Sequence, residues 1–62
     1  MKAIISYINN EAKTIIENDL SFEDFCLNLF KKKFYLSIVN KDKGGVSLAI
    51  NTDNIVYVEE LR

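Results

Sequence analysis

LSFEDFCLNLFKKK, residues Leu20 to Lys33, is the stretch whose reading decides the fold. Phe22, Phe25, Cys26, Leu29 and Phe30 recur at i, i+3, i+4, i+7 and i+8, a spacing that lines one face of a helix with large apolar groups. Ser21 stands where an N-cap belongs, with Asp24 three residues on. Leu20 and Phe25 occupy the two positions of a hydrophobic staple. Glu23 and Asp24 complement the positive start of such a helix, and Lys31, Lys32 and Lys33 its negative end. The cues agree on a single amphipathic helix ending before Phe34.

Downstream, FYLSIVN and VSLAIN read as two strands joined by KDKGG, where Gly44 and Gly45 supply the positive φ that a hairpin connection requires. Phe34, Leu36 and Ile38 share one parity, as do Val46, Leu48 and Ile50. An antiparallel pairing of Ile38 with Val46 would turn all six toward the helix. NTDN makes a further turn into IVYVEE, a third strand with apolar residues on both parities, so alternation leaves its register open. Upstream, AIISYI and KTIIE carry a density of β-branched residues that favours a hairpin around Asn9 and Asn10, although Ile4, Ile8, Ala12 and Ile15 also fit a helical stripe.

The expectation is one α+β domain over residues 1–62: a β-hairpin, one amphipathic helix laid on one sheet, and a three-stranded antiparallel meander. This ββαβββ order resembles that of β-grasp domains, in which a helix crosses a sheet after an opening hairpin. No motif here carries a function over from that resemblance.

Length and composition restrict the chemistry. A chain of 62 residues buries only about 60% of its unfolded surface, and self-association is a common remedy for so small a core. The net charge of −1 removes the long-range attraction with which most nucleic-acid and anionic-membrane binders capture their targets. Apolar runs fall far short of the roughly 20 residues needed to cross a bilayer, and the first residues do not read as a secretory signal. With one cysteine, no internal disulfide can form, which fits a reducing cytoplasmic setting. Ile, Asn and Lys make up 22 of the 62 residues, a bias that A+T-rich codons produce and that points toward a low-GC bacterium or its phage.

The absence of histidine removes the usual general base, proton shuttle and commonest metal ligand. Cys26 lies on the apolar helical stripe, where a thiol is inert. NKDKGG places Asn40 and Asp42 at ligand-like spacing, but lysines alternate with them and no closing glutamate follows. Glu59 and Glu60 are adjacent on a strand and so point to opposite faces. The Gly44–Gly45 pair lacks the residues of a phosphate cradle. No catalytic residue, cofactor or metal is expected.

Two functional expectations remain. The first is a non-catalytic protein-binding module, homo-oligomeric and acting on a host protein, of the kind a phage or mobile element uses to occlude a defence component. Its contacts would come from Tyr7, Tyr35, Val39, Tyr57 and Glu59, because tyrosine buries a wide ring while its hydroxyl stays hydrated. The second is a nucleic-acid or regulatory factor in which oligomerisation unites Lys31, Lys32 and Lys33 with Lys41 and Lys43. A strand rises about 3.3 Å per residue, which separates these two clusters within one chain and disfavours that reading.

Overall fold

The computed structural model describes every residue except Asn9 and Asn40, and it leaves the side chains of Asn10, Glu11 and Lys41 undescribed. The expected turn at Asn9 and the calcium-like position Asn40 therefore lie outside the described residues. The elements run β1 (Lys2–Tyr7), β2 (Asn10–Glu17), α1 (Phe22–Leu29), β3 (Phe34–Val39), β4 (Val46–Asn51) and β5 (Ile55–Leu61). The ββαβββ order and the α+β class are as the sequence indicates, and β1 and β2 are antiparallel paired strands rather than one helix.

The helix begins as its sequence dictates. Ser21 has extended backbone, and its hydroxyl accepts a hydrogen bond from the Asp24 N–H at 3.1 Å. This satisfies one of the donors that a helix start leaves unpaired. At the other end, the Phe30 N–H donates to the Cys26 carbonyl and the Lys31 N–H to the Asn28 carbonyl. The helix closes before the lysines, so Lys31–Lys33 form the connection to β3 and leave the last turn without a basic residue.

The strands divide into two antiparallel sheets, β2-β1-β5 and β3-β4. The expected continuous meander is thus interrupted, because β5 pairs with β1 rather than β4. A 3-10 turn at Thr52–Asn54 redirects the chain. Its backbone is held on one side by Thr52 N–H donating to the Lys33 carbonyl, and on the other by Ile8 N–H donating to the Asn54 carbonyl. The helix therefore shares one core with two sheets instead of lying on a single one. That core comprises Ala3, Ile5 and Ile16 from the first sheet, Phe25 and Leu29 from the helix, and Ile50 from β4.

The β3–β4 register corrects a second expectation. Val39, not Ile38, pairs with Val46, and Tyr35 pairs with Ile50. The connection takes in a 3-10 turn at Lys41–Lys43 and two glycines at φ +93° and +75°, and it spans one residue fewer of β3 than the parity reading assumed. A shift of one residue exchanges the two faces of a strand. Tyr35 and Val39 accordingly pack against the core, and the Tyr35 ring meets Phe25 edge-on at 5.8 Å. Phe34, Leu36 and Ile38 face outward.

Candidate interaction surface

The outward face of β3–β4 carries an exposed apolar row. Phe34, Leu36 and Ile38 are 51%, 75% and 54% exposed, in one row along β3. Opposite them on β4 stand Asn51, Ala49 and Ser47. The small side chains of Ser47 and Ala49 leave the row standing above a shallow floor. Neither strand carries a charged residue, and β3 turns an apolar row to water where a half-exposed antiparallel strand has polar residues, an alternation that β4 keeps with Ser47 and Asn51.

A second apolar area lies on the helix. Leu27 and Phe30 are 66% and 53% exposed. With Phe22, Cys26 and Glu23 they line an open recess of about 570 Å³. Phe22, Cys26 and Phe30 stand at i, i+4 and i+8 beside the buried Phe25–Leu29 stripe, so the apolar arc of this helix is wider than its own core covers. Burial raises the Cys26 thiol above its ordinary range, which keeps it protonated and poorly nucleophilic.

The residues singled out from the sequence are distributed unevenly. Tyr57 is half exposed and Glu59 exposed, both on β5. Tyr7 is partly buried, and its hydroxyl hydrogen-bonds Thr14 Oγ1 at 2.6 Å. Tyr35 and Val39 belong to the margin of the core. The structure does not gather these five into one surface. The exposed row of β3 was missed because its strand is apolar on both parities, and only the pairing register tells which one is buried.

Lys31, Lys32, Lys33 and Lys43 project into solvent, while the Lys41 side chain lies outside the described residues. The backbone of the lysine run is anchored: Thr52 Oγ1 lies 3.0 Å from the Lys32 carbonyl and 2.9 Å from that of Lys33. Among the described residues, no three cysteine or acidic side chains gather where they could hold a metal ion. The buried hydroxyl of Ser6, on the outer face of the three-stranded sheet opposite Lys13 and Tyr57, has no hydrogen-bond partner among the described residues. Among the described residues, no helix is long and apolar enough to cross a membrane. No protein-family model, curated protein or solved structure matches this chain.

Proposed function

We propose that this chain is a non-catalytic binding module that acts by covering the surface of a protein partner, and that it does so as a homo-oligomer. The observation that carries the reading is the uncharged, exposed row Phe34, Leu36 and Ile38. Contiguous apolar surface on a small domain marks an interaction site. Burying a large aliphatic or aromatic side chain fully is worth about 1.5–3 kcal/mol, so covering the exposed part of these three gives roughly 3–5 kcal/mol before association costs. That alone is no better than a millimolar complex. A useful affinity therefore draws on flanking contacts, for which the Leu27–Phe30 area is available, or on more than one copy acting together. The lack of histidine and the protonated thiol support a role without turnover.

The small size, acidity and residue bias fit an inhibitor carried by a phage or mobile element against a host defence component. The test is affinity capture from the native host, followed by titration of the purified captured protein against wild type and Leu36→Lys. The reading expects Leu36→Lys to keep wild-type circular dichroism and to bind at least tenfold more weakly. Equal binding by the two chains would refute it.

A further inference from the structure

The four strand edges of this molecule are not alike. In β5, Val56 is skipped between the pairs Tyr7–Ile55 and Ser6–Tyr57, a bulge that bends the edge, and Glu59 and Glu60 follow it. In β2, the register jumps between Ser6–Lys13 and Tyr7–Asn10, and the strand carries Lys13 and Glu17. Bulges and charges are the devices by which natural sheets keep their edges from pairing with other chains. The β3–β4 ladder has neither: its register is regular from end to end, and both strands are uncharged.

Its two sides differ in turn. On the β3 side, the recess shared with β2 is bordered by Lys2, Glu17, Asp19 and Asp42. The recess beside β4, about 380 Å³, is lined along Leu48, Ala49, Ile50 and Asn51 by uncharged residues only, among those described. A two-stranded ladder is marginal by itself, and a third strand with an apolar face would complete it.

We infer that the open edge of β4 pairs antiparallel with β4 of a second copy, making a four-stranded sheet β3-β4-β4-β3 across a two-fold axis. The occupant is a second copy because this uncharged strand can face itself with no like charges opposite each other, whereas β2 and β5 carry charges along their edges. A two-fold axis normal to the sheet also requires that some residue face its own counterpart. The register centred on Leu48 sets Val46 opposite Ile50 of the second copy and Ser47 opposite its Ala49. This accounts for Val46, which shares the core-facing parity of Leu48 and Ile50 yet is 52% exposed in the single chain. The pairing rests on the homo-oligomer of the proposed function and says how it forms: it leaves Phe34, Leu36 and Ile38 free on both copies, and doubles the row presented to a partner.

Sedimentation velocity over a wide concentration range tests this. Wild type should move from the 7.1 kDa of one chain toward twice that mass. The double variant Ser47→Lys/Ala49→Lys faces lysine with lysine at two places, and should dimerise at least tenfold more weakly. Ser47→Lys/Ala49→Glu restores opposite charges in the same register and should dimerise like wild type. Should the dilysine chain fail to fold, Ser47→Glu/Ala49→Glu makes the same test. A wild type that stays a single chain at every concentration, or like-charge variants that dimerise as well as wild type, would overturn the inference. So would a dimer lost in Leu36→Lys, because that result places the contact on the face rather than the edge. Loss of partner binding in Leu36→Lys with dimerisation retained separates this inference from the proposed function.

Discussion

The orientation of β3 can be tested by truncating two neighbours, Tyr35→Ala and Leu36→Ala. Leu36 is 75% exposed, so its truncation removes only a quarter of the burial that a core leucine provides. At about 1.5–3 kcal/mol for full burial, the expected loss is about 0.5 kcal/mol. Tyr35 is partly buried and meets Phe25 edge-on with an interplanar angle of 88°. Half of a core aromatic truncation, with the ring contact included, gives about 2 kcal/mol. A chain of this length has a total stability of roughly 3–9 kcal/mol, so Tyr35→Ala removes a substantial fraction of it. Urea unfolding at low protein concentration is the assay. With a slope of about 1 kcal/mol per molar, the midpoint should fall by about 2 M for Tyr35→Ala and about 0.5 M for Leu36→Ala. A larger loss for Leu36→Ala than for Tyr35→Ala would refute the register and return Phe34, Leu36 and Ile38 to the core.

Other outcomes follow from single contacts. Ser6→Ala should raise stability by about 1 kcal/mol in the same assay, because it deletes a buried hydroxyl without a hydrogen-bond partner. Thr52→Val keeps the side-chain volume but removes the hydroxyl held by the Lys32 and Lys33 carbonyls, and should lower stability by about 1 kcal/mol. Cys26 should react with iodoacetamide more slowly in the folded than in the urea-unfolded chain at neutral pH, since burial raises its thiol pKa. The folded state holds that proton longer than the unfolded state does, so the group leaves stability unchanged at neutral pH and lowers it as pH climbs above the ordinary thiol range.

The helix was legible because independent cues coincide on the same residues: the Ser21 cap, the Glu23–Asp24 start and the Phe25–Leu29 stripe each point to one boundary or one face. The opening hairpin was legible from its β-branched residues. What alternation could not supply was strand pairing. FYLSIV is apolar on both parities, and its inward face was decided by the connection between Val39 and Val46 together with the fit of Tyr35 against Phe25. IVYV is equally two-sided, and its partner was decided by Thr52 and Asn54, whose hydrogen bonds reach Lys33 and Ile8 from a distance in sequence. The candidate surface inherits both limits. Residue type alone marked tyrosines, whereas exposure selects the row that register turns outward.

The pairing of Ala3 with Glu60 has a consequence for how the molecule is made. The strand in the middle of its sheet is translated early, but its second neighbour does not exist until the helix and the whole β3–β4 ladder have been synthesised. Until then the nascent β1–β2 ribbon has the backbone N–H and C=O groups of β1 unpaired along a bare flank, and native pairings of such long reach form slowly. The three-stranded sheet is therefore completed only when the last strand is available, which makes its docking onto β1 a late step of assembly.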